Sequence, residues 1–292
     1  RPFRKGDAGP QLPSEPPELR YVKSDSVKYC RIPLEETVNP RFPDLEGKHV
    51  LITGGANGIG AAAAIAFAGQ GCEVTLLDKD LKAGERVADA CRALGAKACL
   101  REVDLVDSRM LRDVLDHVKR EQPTVDVLVL NAGYDPRFTG IEMTEQQWSD
   151  LFQLNVTHYF LTCRELVPAM VAQGGGGIIM TTSHTVWLAK PDLIAYNSTK
   201  AAVVGFMRSL AEAVGRYRIR VNAVAPGWTM TERQLRQWVT EEAKYRTIHE
   251  LQVLPLEIRP EDLTGTYLFL ASDSSAPITR QVLVADAGQS KH

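Results

Sequence analysis

Short apolar runs alternate with longer amphipathic stretches along most of the chain. His49–Thr53 (HVLIT) carries one such run and leads into glycines, and the alanine-rich Gly58–Gln70 that follows has the composition of a helix. Glu73–Asp78 (EVTLLD) reads as a second strand, and Leu81–Leu94 has apolar positions at helical spacing. Further strands are expected over Lys97–Val103, Val125–Leu130, Gly177–Thr182, Arg218–Ala223 and Gln281–Ala285. Longer helical stretches lie between most of them, among them Thr144–Ala172 and Asp192–Gly215. Near-continuous apolar strands are covered on both faces, and their alternation with helices supplies the cover. Right-handed crossovers then wind the chain into an α/β fold: a doubly wound, mainly parallel, seven-stranded sheet with helices on both faces, in a single domain over 47–292.

The first 46 residues are a different material. Pro2, Pro10, Pro13, Pro16, Pro17, Pro33, Pro40 and Pro43 all fall there. Proline fixes φ and lacks an amide hydrogen, so this irregular N-terminal arm holds no long helix and no central strand. No apolar segment follows its basic start, so it does not read as a secretory signal. The first residue is Arg1 and not Met, and the natural start is expected to lie upstream or to have been removed. Phe3, Leu12, Tyr21, Val22, Tyr29, Ile32, Leu34 and Phe42 are expected to dock the arm in extended form, on the domain or a neighbouring subunit, without part in the chemistry.

Composition narrows the functions. Hydrophobic residues make up 44% of the chain and charged residues 24%, with a formal net charge of −2. Near-neutrality argues against nucleic acid or an anionic membrane as partner, and no apolar stretch is long enough to span a bilayer. Cys30, Cys72, Cys91, Cys99 and Cys163 are scattered, without a CxxC pair, and the histidines show no ligand spacing. Neither a disulfide framework nor a metal site is expected, and reduced thiols point to the cytoplasm.

Strand HVLIT runs into Thr53-Gly54-Gly55-Ala56-Asn57-Gly58-Ile59-Gly60 and then a helix. In that context glycines allow a tight turn, close backbone approach to a pyrophosphate and close helix–strand packing. The helix N-terminus adds free amide groups and the positive end of its dipole. A Rossmann-type dinucleotide site follows. Asp78 ends the second strand eighteen residues after Gly60. A carboxylate there accepts hydrogen bonds from ribose hydroxyls and repels a 2′-phosphate, so NAD is expected rather than NADP. The uncharged Asn57 agrees, and Lys79 is the neighbour able to offset the acid.

Tyr196 and Lys200 stand four apart at the start of a helix and share a face. An ammonium beside a phenol stabilises the phenolate and brings the tyrosine towards acid–base work at neutral pH. Ser183 ends a strand thirteen residues before Tyr196, where its hydroxyl can hold a substrate oxygen.

Together these residues resemble the short-chain dehydrogenase/reductase family, of the type with a TGxxxGIG loop and a YxxxK pair, over residues 47–292. The resemblance implies further roles. Asp104, with Leu105 beside it, matches the acid that contacts the adenine. Asn131-Ala132-Gly133 matches the element after the fourth strand, and Asn155 the helix asparagine that anchors a proton-relay water. Pro226, Gly227 and Thr229 match the segment that closes on the nicotinamide. Asn155, Ser183, Tyr196 and Lys200 would form the catalytic tetrad, and Gly54, Asn57, Gly58, Ile59, Gly60, Asp78 and Lys79 part of the cofactor site. Ala287 and Arg280 stand where the family usually has glycine, and Leu130 replaces an asparagine. The implied chemistry is hydride transfer. The family habit of pairing long helices implies a homo-oligomer, a tetramer or dimer.

The loops expected to meet the substrate mix aromatic with hydrogen-bonding groups: Asp135 and Arg137, then His184 and Trp187, then Trp228 and Arg233, with Trp238 beyond. A sugar stacks its C–H face on rings and needs paired donors and acceptors, whereas an acyl chain or steroid wants a more uniformly apolar cleft. The details resemble sugar 1-dehydrogenases of the family, which oxidise an anomeric hydroxyl to a lactone. Arg137, His184 and Arg233 would equally suit an acidic sugar. The alternatives are a ketone or 3-oxoacyl reductase, more often NADPH-dependent, and a non-catalytic NAD-binding sensor.

Overall fold

The computed structural model describes residues 40–138 and 141–291. Seven strands form one sheet: β1 (His49–Thr53), β2 (Glu73–Asp78), β3 (Ala98–Glu102), β4 (Val127–Leu130), β5 (Gly176–Thr181), β6 (Ile219–Pro226) and β7 (Val282–Ala285). Their order is β3-β2-β1-β4-β5-β6-β7, and every neighbouring pair is parallel. The helices are α1 (Gly58–Gly69), α2 (Leu81–Ala93), α3 (Ser108–Glu121), α4 (Glu145–Phe152), α5 (His158–Gln173), α6 (Ile194–Val214), α7 (Glu232–Gln237), α8 (Glu241–Arg246) and α9 (Pro260–Ala271). This is the doubly wound fold expected from the apolar pattern.

β1 shows how the pattern produces the layers. All five of its residues are buried. Side chains alternate across a strand, so Val50 and Ile52 join Phe67 of α1 and Tyr267 and Leu268 of α9, while Leu51 joins Leu111 and Leu115 of α3 and Leu166 and Met170 of α5. Chain direction across the sheet reverses between β2 and β4, on either side of β1. That opens a crevice at the carboxyl ends of β1 and β4, where α/β folds place ligands.

Strand boundaries agree with the sequence reading to within two residues, except that β6 runs on to Pro226. Pairing with β7 holds Ala223–Pro226 against Val282–Ala285 and extends the strand. The single helix expected over Thr144–Ala172 is instead α4 and α5 joined by a π-helical segment, Gln153–Thr157, whose wider turn holds Asn155 fully buried. Arg280 and Ala287, two of the positions that depart from the family pattern, have φ of 65° and 55°. In that left-handed region a Cβ costs energy that glycine avoids.

Residues 1–39, and with them the anchors from Phe3 to Leu34, lie outside the described residues. The end of the arm is seen to dock. Phe42 packs against the core on the α1 side and its amide donates to Gln70 Oε1 at 2.9 Å, while Leu45 is fully buried.

Candidate active site

A cavity of about 1010 Å³ opens at the carboxyl ends of the strands. Gly54, Asn57, Gly58 and Ile59 line it from the β1–α1 turn, Asp78 and Lys79 from the end of β2, and Asp104 and Leu105 from beyond β3. Asn131, Ala132, Gly133, Asp135 and Arg137 follow from β4, Ser183 and His184 from β5, Tyr196 and Lys200 from α6, and Pro226, Gly227, Trp228, Thr229 and Arg233 from beyond β6. Three expected residues stand elsewhere. Gly60 and Asn155 lie behind the wall. Trp187 is not among the lining residues: the short 3₁₀ turn His184–Trp187 presents His184 and Thr185 to the cavity, and its last residue falls outside it.

The glycine turn is tightly built. Gly54 has φ 68°, and a Cβ at Gly60 would stand 2.1 Å from Gly54 O. Asn131 Nδ2 donates to that same carbonyl at 3.1 Å, which ties β4 to the turn. The N-cap of α1, Asn57, makes no side-chain cap bond; its amide reaches Asp80 Oδ2 at 3.4 Å instead. The first amides of α1 therefore have no side-chain acceptor and suit the pyrophosphate of a dinucleotide. Asp78 is fixed by Ala56 N–H and Asp80 N–H, each 3.0 Å from a carboxylate oxygen. Lys79 turns away to pair with Asp104 at 3.5 Å. These residues fit a nicotinamide dinucleotide.

At the other group of residues, Lys200 Nζ donates to Thr181 O at 2.8 Å and stands 5.7 Å from the centre of the Tyr196 ring. Burial pulls its pKa down to about 8, with Asp135 opposing and Arg233 adding to the fall. Burial also pushes the Tyr196 phenol well above its ordinary value; Asp135 adds to the rise, and the Ser183 hydroxyl and Arg233 oppose it. The lowering of Tyr196 expected from Lys200 is not found: burial dominates, and the phenol lies above its ordinary value. Ser183 Oγ is held by Thr185 Oγ1 at 2.9 Å. Asn155 clamps the loop behind them: Oδ1 accepts from Tyr134 N–H at 2.9 Å, and Nδ2 donates to Tyr134 O at 2.9 Å and to Thr199 Oγ1 at 3.0 Å. Both of its amide hydrogens are used within the protein, so a relay water would have to be held by its oxygens.

The remaining wall is a polar network. Asp135 accepts from Arg233 Nη2 at 2.8 Å and from Gln234 Nε2 at 2.6 Å, and Gln234 Oε1 accepts from Trp228 Nε1 at 3.0 Å. His184 is buried against Asp286, Nδ1 to Oδ2 3.5 Å, and burial brings its pKa down to about 4, with Asp286 opposing. Its imidazole is neutral at pH 7. Gln234, in the Arg233-Gln234 pair of the loop expected to meet the substrate, also lines the cavity. Lys190 lines it too and was not read as a site residue, since nothing local to it in the sequence marks it.

The comparisons with known proteins follow this geometry. The family model for short chain dehydrogenases matches residues 48–242. A probable galactose dehydrogenase of Rhizobium meliloti is 39% identical over 249 residues, covering 85% of this chain and 97% of that protein. A D-xylose 1-dehydrogenase of Caulobacter vibrioides is 36% identical over 251 residues, with the same coverage of 85% and 97%. Among solved structures, a 7α-hydroxysteroid dehydrogenase complexed with NADH and 7-oxo glycochenodeoxycholic acid superposes with a TM-score of 0.81 at 30% identity, over 87% of this chain and 97% of that one. The chain belongs to the short-chain dehydrogenase family, oxidoreductases that bind a nicotinamide cofactor and act on CH–OH groups.

Proposed function

We propose that the protein is an NAD-dependent sugar dehydrogenase that oxidises an aldose at its anomeric carbon to the lactone. The observation that carries the sugar reading is the Asp135–Arg233–Gln234–Trp228 network, which lines the same cavity as Tyr196. It offers directional donors and acceptors beside an indole ring, as a polyol requires and a steroid or acyl chain does not. Two of the relatives named above are a galactose and a xylose dehydrogenase, which supports the same reading. The choice of NAD rests on Asp78. Among the described residues no cation pairs with its carboxylate, because Lys79 is engaged by Asp104. A 2′-phosphate would meet that charge unscreened.

When bound, the oxidised nicotinamide supplies the hydride acceptor and a positive charge. The rest falls to the chain. Ser183 donates a hydrogen bond to the reacting oxygen. Tyr196 takes the hydroxyl proton as the C–H hydride leaves, a role that requires its phenolate form. Lys200, buried and held by Thr181 O, would hydrogen-bond the ribose of the bound cofactor and, as an ammonium, favour the phenolate. Asn155 fixes the Tyr134 loop and would hold, through an oxygen, the water that carries the proton from Lys200 towards solvent. Positioned acid–base catalysis of this kind is worth about two to four decades of rate.

We also propose assembly as a homo-oligomer, with Trp148 of α4 and Phe160 of α5, both partly exposed, as candidate contact residues. The function is tested by incubating the enzyme with D-galactose or D-xylose and NAD and identifying the product by NMR. Lactone, or its hydrolysed aldonate, is expected, with NADP a poor substitute. Reduction of ketones by NADPH at much higher kcat/KM than any aldose oxidation would contradict the proposal.

A further inference from the structure

We propose that the substrate is a sugar bearing an anionic group, a carboxylate or a phosphate remote from the oxidised carbon, and that Lys190 with Arg137 and Arg246 forms the subsite that receives it. The inference rests on the sugar reading above and narrows it.

Three groups in the sequence were candidates for an acidic substrate, and the structure disposes of two. His184 is neutral through burial. Arg233 is matched within the wall by Asp135 at 2.8 Å. Arg137 is different. Its one carboxylate contact among the described residues, with Asp192, is a loose 3.6 Å, and its guanidinium lies 4.6 Å above the ring of Trp238, which does not neutralise it.

Lys190 adds a second cation to the same cavity wall. Among the described residues no carboxylate lies within 4 Å of its ammonium, which also makes no hydrogen bond. Burial is the main influence on Lys190 and disfavours its charge; Arg137 and Arg246 press in the same sense, and Asp192 alone opposes them. Arg246 lines the cavity too, from α8, with Glu250 at 3.7 Å. Glu242 is the one further acid that α8 contributes to the lining. Three cations therefore line one wall, Arg137 against Asp192 and Arg246 against Glu250, while Lys190, which is exposed, has no carboxylate within 4 Å among the described residues. An ammonium that reaches the cavity with no carboxylate beside it is free to make a charge-assisted hydrogen bond to the anionic group of a bound sugar.

The cofactor does not account for this charge. Lys190 sits in the chain between Ser183 and Tyr196, and Arg137 follows the Gly133 turn, whereas the ribose-binding group is on β2. The redox step is unchanged: the C–H bond of the carbinol breaks to give a hydride to NAD, its O–H proton goes to Tyr196, a C=O bond forms, and the anionic group stays intact.

The test compares kcat/KM for D-galactose, D-galacturonate and D-galactose 6-phosphate, with saturating NAD, in the wild type and in Lys190→Met. At least one anionic sugar should exceed D-galactose by about ten-fold or more, and the better of the two identifies the group. In Lys190→Met that ratio should fall towards one, and added salt should lower it in the wild type. A wild type that uses D-galactose as well as either anion, or a ratio that survives Lys190→Met, overturns the proposal while leaving the sugar reading intact. Turnover of simple secondary alcohols with none of the three sugars oxidised overturns both.

Discussion

Gly60 and Gly69 lie on the same helix, α1, yet alanine should act on them with opposite sign. At Gly60 a Cβ would stand 2.1 Å from Gly54 O and 2.6 Å from Asn131 Nδ2. Neither obstacle can rotate away, since the first is main chain and the second is hydrogen-bonded to it at 3.1 Å. A carbon–oxygen contact settles at about 3.3 Å or more, so the β1–α1 turn must open by roughly 1 Å. Overpacking on this scale costs about 1–3 kcal/mol. At about 2–4 °C per kcal/mol for a domain of this size, Tm should fall by roughly 2–12 °C. The displaced turn carries Gly54, Asn57 and Gly58, so KM for NAD should rise by about ten-fold or more, equivalent to about 1.4 kcal/mol, while KM for the sugar changes little. At Gly69 nothing lies within 4 Å and the residue is exposed. Gly69→Ala should gain about 0.5–1 kcal/mol of helix stability and leave both KM values alone. Thermal melts and initial rates at varied NAD decide the matter. A Gly60→Ala enzyme with wild-type Tm and cofactor KM, or a damaging Gly69→Ala, would refute the reasoning.

Other outcomes follow from the same geometry. Asp78→Asn keeps an acceptor for the Ala56 or Asp80 amide but removes the charge, and the NAD-to-NADP ratio of kcat/KM should fall by about ten-fold or more; an unchanged ratio would show that Asp78 does not select the cofactor. Ala287→Gly should relieve the left-handed strain at φ 55° and raise stability by about 1 kcal/mol, read as a higher denaturant midpoint; a lower midpoint would contradict this. Burial lowers His158 to about 3 and His184 to about 4, from 6.5. As pH falls below 6.5 the unfolded chain takes up these protons before the folded one, so stability should be lost between pH 6.5 and 4. A Tm flat across that window would contradict the neutral, buried placement of both imidazoles.

What was legible in the sequence was local. The glycine turn, Asp78 at the end of a strand and the Tyr196–Lys200 pair are each set by spacing within one or two elements, and all of them line the cavity. The sheet was legible because parallel strands are apolar at nearly every position. The π-helical turn at Gln153–Thr157 was not, since one widened turn leaves the apolar periodicity on either side intact. Arg233 reads as a free cation in sequence, and only the fold brings Asp135 to it across 98 positions. Lys190 is conspicuous for the partners it lacks, which spacing does not encode. The raised Tyr196 pKa has the same origin, since desolvation depends on everything packed around the phenol.

The central claim is that Tyr196 moves the proton in a hydride transfer. Its most direct test is Tyr196→Phe, with kcat for aldose oxidation measured beside the Kd for NAD and the far-ultraviolet circular dichroism. The account predicts that kcat falls by about two to four decades while fold and NAD affinity stay near those of the wild type. Turnover close to the wild-type value in that variant would contradict it.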